Sequence, residues 1–290
     1  MKTERKIIRV ETPEARPGFL GAGHMARQLV GADFTASDPF IFLMDDVLDK
    51  KDFQPAGGAH PHAGFETVSL LLEGEIGDDA YKMQPGDFQR MTAGSGVVHT
   101  ETIDRPMRLR LLQLWLNLPR KSRNATPRVQ DLPLAHAPVL NKEGVQIRLY
   151  SGSLNGLTAP VLHYVPLIVA DISMEAGTTA LLDLPASYNA FLYILKGSIT
   201  AGKDAQLLNK EQVGWLDLFE AAEPSTLNVT AKEESARLVL YAGAPQHEKI
   251  VAHGPFIADS ADAIPDLYQR YRSGRMPHIA TVPADQRILL

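Results

Sequence analysis

The stretch AHPHAGFETVSLLLEGE, residues 59 to 75, sets His60 and His62 on either side of a proline at the head of a long apolar run. Further on, GSGVVHTE sets His99 and Glu101 at the same spacing. Side chains two residues apart in an extended strand share a face, so each pair can aim both of its groups into one barrel interior. Two such pairs on facing strands supply three imidazoles and one carboxylate. That donor set suits a divalent first-row ion such as Fe, Mn, Ni, Cu or Zn, and it leaves one or two coordination positions open for a substrate or oxygen. A closed structural zinc site would more often include thiolates, and the chain contains no cysteine.

Plainer readings apply to the neighbours. A lone His-x-His pair is weak evidence for a metal; here the second pair is what strengthens it. Glu66 competes with Glu101 for the carboxylate role, and spacing alone leaves both open. Glu73 and Glu75 flank Gly74 at a turn and read as solvated hairpin residues. Phe65, Phe88 and Met91 are candidates for a cavity lining, although aromatic and methionine side chains on strands more often fill cores. His24, His136, His163, His247, His253 and His278 have no partner at metal-ligand spacing and read as surface or hydrogen-bonded histidines.

The elements that must carry these groups are short stretches rich in Val, Leu, Ile and aromatics, cut at close intervals by Gly, Pro, Asn and Asp. That rhythm predicts an all-β chain in sandwich or barrel form. FIFLMDDV, TVSLLLEGEI, MRLRLLQLWLNLP, VQIRLYSGS, FLYILKGSITAG and ARLVLYAGAP are the clearest strands. The best helix signal is DAIPDLYQRYRSGRM, with Asp262 as cap and Gly274 as terminator. ETVSLLLEGEI and NAFLYILKGSI share a strand, a turn glycine (Gly74, Gly197) and a closing isoleucine (Ile76, Ile199), which indicates two copies of one β-unit. The polar, proline-dotted stretch 119–138 is the expected linker. Asp183 and Pro185 stand opposite His60 and His62 in the second copy, and no histidine lies between Tyr164 and Gln246, so only the first copy can hold a histidine site.

Composition narrows the function. The chain of 290 residues has room for two domains, and 44% hydrophobic with 22% charged residues is typical of a soluble globular protein. A net charge of -5 without a basic patch argues against direct nucleic-acid binding and against a membrane surface. MKTERKIIRV lacks an apolar segment behind its charges, so the expected location is the cytoplasm. GFLGAGHMA fits a G-x-G-x-x-A dinucleotide fingerprint, but two prolines precede it and β-like sequence follows, so the strand and helix that motif requires are missing.

The run MARQLVGADFTASDPFIFLMDDV, HPHAGFETVSLLLEGEI, PGDFQRMTAGSGVVHTE and LQLWLNLP, with LYILKGSI, LYAGAPQHE and HGPF later, resembles the pirin family of bicupins over nearly the whole chain. The resemblance implies two antiparallel β-barrel (jelly-roll, cupin) domains packed face to face, with a short C-terminal helix. It divides the chain into residues 1–130, with a metal, and residues 131–290, without one. It implies one divalent ion, usually Fe(II), on His60, His62, His99 and Glu101, and it favours Glu101 over Glu66, even though His-x-His followed by a glutamate is the general cupin pattern. The implied activity is flavonol (quercetin) 2,3-dioxygenation, using O2 and releasing carbon monoxide. Metal binding would lower the pKa of the flavonol 3-hydroxyl, and Glu101 would be both ligand and proton acceptor. The alternative role is a non-catalytic, iron-dependent redox sensor that binds a protein partner. A monomer is the simple expectation. Two departures bear on substrate preference: Ala63 stands where the family has arginine, and the hairpin EGEIGDDAYKMQPGDF is short. Both are expected near the cavity mouth.

Overall fold

A computed structural model describes residues 2–31, 33–77, 81–220 and 223–290. It divides into two compact units, one made of Glu14–His136 with Gln246–Leu290, the other of Met1–Pro13 with Ala137–Pro245. The boundary expected near residue 130 thus lies at His136, and both chain ends depart from a linear division. The stretch 119–138 is not a free linker, because Arg128–Leu132 within it is a strand of the first unit.

The first unit is built on an eight-stranded sheet. Its order is Arg287–Leu289, Arg128–Leu132, Phe88–Thr92, Phe65–Glu73, Met107–Asn117, Phe40–Lys50, His24–Val30, Ala15–Pro17. The second unit repeats its centre: Val213–Leu216, Asn189–Lys196, Ala236–Gly243, Leu167–Met174 and Val145–Ser151 follow in the same order. The two apolar runs matched in sequence, 66–76 and 189–199, supply the corresponding central strands, which confirms the internal repeat. In the second unit the edge is extended by Ile7–Glu11, from the N-terminal segment, and in the first by the C-terminal Arg287–Leu289.

The strand Thr179–Pro185, which carries Asp183 and Pro185, pairs with Pro224–Ala231. Leu182, Leu184, Leu192, Leu227 and Val229 are buried in the core of that unit. Aliphatic packing therefore occupies the second unit where imidazoles occupy the first.

The C-terminal helix is present as Ile264–Arg272. Asp262 does not cap it. A 3-10 turn, Ala261–Ala263, leads into the helix, and Pro265 occupies its first turn, where a missing N–H costs nothing. Gly274, at φ 69°, ends it as expected. No helix among the described residues is long and apolar enough to cross a membrane.

Candidate metal centre

The strands Ala59–His62 and Val97–Thr100 form a two-stranded antiparallel ribbon with His60 opposite His99 and His62 opposite Val97. Glycines allow the chain to enter it. At Gly57 (φ 76°) a Cβ would lie 2.2 Å from the Glu101 carbonyl, and at Gly64 (φ 85°) 1.9 Å from that of Ile257. Only glycine permits both the left-handed backbone and the close approach.

Pleating puts His60 and His62 on one face of their strand and His99 on the same face of the facing one. The candidate ligand atoms of the three imidazoles lie within 4.8 Å of one another, the one such group among the described residues. Nε2 of His60 is 2.7 Å from Nε2 of His99. Nδ1 of His60 is 2.9 Å from the Gly58 carbonyl, which can only accept, so the proton sits on Nδ1 and the Nε2 lone pair points inward. Both ring nitrogens of His62 are buried and neither makes a well-formed hydrogen bond, the Pro255 backbone being a polar neighbour outside the imidazole group. Behind it, the His62 ring meets Phe65 at 5.1 Å and Trp115 at 5.2 Å, and these two aromatics stack at 4.3 Å. Packing of this kind fixes ring orientation.

Burial, reinforced by His99 and His60, holds the His62 imidazole well below the usual histidine range. Burial also lowers His99 to about 3, with His60 and His278 adding repulsion. These two rings are therefore neutral at physiological pH, the form that donates to a metal. Two buried, neutral imidazoles, that of His62 with neither ring nitrogen in a well-formed hydrogen bond, and the inward Nε2 of His60 converge on one point and fit a divalent cation.

Glu101 lies beside this group: Oε2 is 3.9 Å from His60 Nε2, and Oε1 is 4.0 Å from His99 Nδ1. Its carboxyl is pushed up by burial, against the opposing pull of His60 and of Gln113, whose amide donates to Oε1 at 3.0 Å. Glu66 faces elsewhere. Fully buried, it accepts from Arg90 Nε at 3.1 Å and Thr92 Oγ1 at 2.7 Å, which removes it from the imidazole group. Glu73 pairs with Arg108 and Glu75 with Arg105, as expected of hairpin carboxylates.

His99 and Glu101 open onto a chamber of about 240 Å³. Met91 lines it, but Phe65 and Phe88 do not: Phe65 backs His62, and Phe88 is fully buried elsewhere. Ala63 is not at the mouth either, because it is buried against Phe256, Ala258 and Met276. Part of the short hairpin, 78–80, lies outside the described residues.

Three contributors escaped the sequence reading. Gln113 orients Glu101. His278 reaches Thr100 Oγ1 at 2.8 Å across 178 residues of chain, and the C-terminal Ile279, Arg287 and Leu289 line the chamber. Only the alternation of MRLRLLQLWLN could have flagged Gln113, a polar residue at an inward position. His24 (2.9 Å from Asp46), His136 (2.7 Å from the Leu290 carbonyl) and His253 (3.0 Å from the Tyr268 hydroxyl) have hydrogen-bond partners outside the imidazole group, as expected.

The His99 shift sets a pH dependence in metal-free protein. Its folded value lies below its unfolded one, so its contribution is whole above the unfolded value and is lost as pH falls through 6.5 toward about 3. Between pH 7 and pH 5 this one residue is expected to withdraw about 2 kcal/mol of stability. Urea unfolding at the two pH values measures it, and His99→Gln should flatten the fall. An equal fall in the variant would place the titrating group elsewhere.

A β-sheet unit with one trihistidine centre, duplicated in a unit without one, defines a bicupin with a single candidate metal site. The chain matches the Pirin family model over residues 22–116 and the Pirin C-terminal cupin domain over 169–277. It is 32% identical over 266 residues to Pirin from Rattus norvegicus, covering 88% of each chain. It is 31% identical over 274 residues to a protein of Pseudomonas aeruginosa provisionally named quercetin 2,3-dioxygenase, covering 89% of this chain and 93% of that one. The crystal structure of an Acinetobacter baumannii quercetin 2,3-dioxygenase superposes with a TM-score of 0.81 at 24% identity, covering 95% of this chain and 99% of the other, and shows the shared fold. The chain belongs to the pirin family.

Proposed function

We propose that this chain is a metal-dependent dioxygenase that opens the 2,3-bond of quercetin or a related flavonol, with one divalent ion, Fe(II) by preference, on His60, His62, His99 and Glu101. The observation that carries the reading is the set of converging imidazoles, two of them held neutral by burial, one of which, His99, lines with Glu101 a chamber large enough to admit part of an aromatic ring system. The provisional name of the Pseudomonas relative supports the choice of flavonol.

When bound, the ion supplies Lewis acidity toward a substrate hydroxyl and a site for electron exchange with O2. The residues supply the rest. Packing against Phe65 and Trp115 keeps His62 in a single orientation, and the Gly58 carbonyl keeps His60 in the ligating tautomer. Gln113 holds Oε1 of Glu101, leaving Oε2 on the side of His60 Nε2 to take the flavonol hydroxyl proton. A carboxyl raised by burial is better matched to that proton than a solvated one. Met91, Val129 and Ile279 provide apolar walls that limit water around the opened ring.

The test is oxygen consumption and loss of the flavonol absorbance band when anaerobically prepared, Fe(II)-loaded protein meets quercetin in air. Turnover is expected in the wild type and its loss in Glu101→Ala, while His60→Ala with His99→Ala should abolish metal binding. Tight metal binding with no turnover would overturn the dioxygenase reading and favour a redox-dependent binding protein. Metal content unchanged in the double variant would overturn the site itself.

A further inference from the structure

Resting on that reading of the site, we infer that Arg287, delivered by the C-terminal strand to the rim of the metal chamber, selects aromatic substrates carrying an anionic group remote from the reacting hydroxyl. The strand Arg287–Leu289 runs parallel to Arg128–Leu132, with Arg287 beside Val129 and Leu289 beside Asp131. It is closed by the Leu290 amide donating to the Asp131 carbonyl at 2.9 Å. Pleating turns residues 287 and 289 to one face, and both line the chamber with Val129 and Asp131, while Ile288 does not.

The other polar groups of this wall are already engaged. The Tyr81 hydroxyl donates to Asp87 at 2.7 Å, and Gln89 donates to Asp131 at 2.7 Å. Arg287 is the one arginine or lysine among the described residues lining the chamber. It gives one N–H to the Ala280 carbonyl at 3.2 Å, and among the described residues no carboxylate pairs with it. A guanidinium has five donors in a planar fork suited to carboxylate, sulfonate or phenolate oxygens. Being exposed, Arg287 can take up such a group with little desolvation cost.

The chamber thus brings together Glu101 and His99, the apolar Met83, Met91 and Ile279, and an exposed guanidinium with no carboxylate partner among the described residues. Its 240 Å³ lies below the usual range of small-molecule sites, about 300–1,000 Å³, so a flavonol cannot be wholly enclosed. Arg287 both lines the chamber and is exposed, so its guanidinium is open to the part that emerges.

The test compares quercetin with its 5′-sulfonate. Dissociation constants are read anaerobically from quenching of tryptophan fluorescence in Zn(II)-loaded protein, because the Trp115 ring lies 5.2 Å from His62. The sulfonate is expected to bind about tenfold or more tightly than quercetin, the scale of one charge-assisted bidentate contact. Arg287→Gln should remove that preference and Arg287→Glu reverse it, with metal content and thermal midpoint unchanged because the side chain is exposed. In Fe(II)-loaded protein the same variants should raise KM for the sulfonate and leave kcat within about twofold. No preference in the wild type, or an equal preference in Arg287→Gln, would overturn the inference. A preference that follows Arg287 in binding, with no turnover of either flavonol, would uphold it while sinking the dioxygenase reading.

Discussion

Glu66→Gln is expected to destabilise the unit that carries the trihistidine group by about 3–5 kcal/mol while leaving metal binding intact. Glu66 and Arg90 are both fully buried on adjacent strands, with Thr92 directly opposite Glu66 and Arg90 two residues further along the same face. The carboxylate accepts from the arginine and from the Thr92 hydroxyl. Neutralising it leaves a guanidinium in the interior with its charge uncompensated, and that desolvation penalty is the source of the loss. Replacing both partners by Glu66→Leu with Arg90→Met should recover much of the stability, because two apolar groups of similar length need no compensation. Thr92→Val should cost only about 1 kcal/mol, the worth of a single hydrogen bond. Urea unfolding measures all four proteins, and metal analysis after dialysis separates the two roles open to Glu66. A variant that stays stable but loses metal would make Glu66 the carboxylate ligand in place of Glu101.

The same strand shows how far parity alone could have gone. Along Phe88–Thr92, residues 89 and 91 face the chamber, while 88, 90 and 92 face the Glu66 side. Phe88 and Met91 have opposite parity and could never both have lined one cavity, and the rule that placed His60 beside His62 would have shown it. Repeat, central strands and histidine spacing were legible because they depend on local alternation and on motifs a few residues long. The exchange of chain ends was not. Ile7–Glu11 carries only one buried residue, and Arg287–Leu289 has none, so neither signals a place in a sheet. His278 carries no signal in the sequence because its partner is set by tertiary folding, not by spacing.

Ending the chain at Gly274 is expected to abolish metal binding, because the segment beyond it closes one edge of the ligand ribbon. That ribbon lies outside the eight-stranded sheet, so its outer backbone groups need other partners. On the His62 side, the Ile257 amide donates to the Ala63 carbonyl at 2.9 Å. On the His99 side, the Val98 amide donates to the Pro277 carbonyl at 2.8 Å. His278 adds a side-chain tie. Its Nδ1 accepts from the Ala280 amide, so its Nε2 carries the proton and donates to the Thr100 hydroxyl, one residue from both His99 and Glu101. Met276, Ile279 and Val282 are buried, and removing all three withdraws roughly 5–9 kcal/mol of apolar burial, comparable with the whole stability of a domain. Such a loss could act by unfolding alone, so His278→Ala is the decisive companion. It keeps the apolar anchors and is expected to weaken metal affinity by about ten- to a hundredfold, as removal of a group that orients a ligand does. Chelator competition on the metal-loaded proteins measures both. A His278→Ala protein with wild-type affinity would reduce the tail to a packing element, whereas weakened affinity at an unchanged thermal midpoint would make its hold on the ribbon part of the metal site.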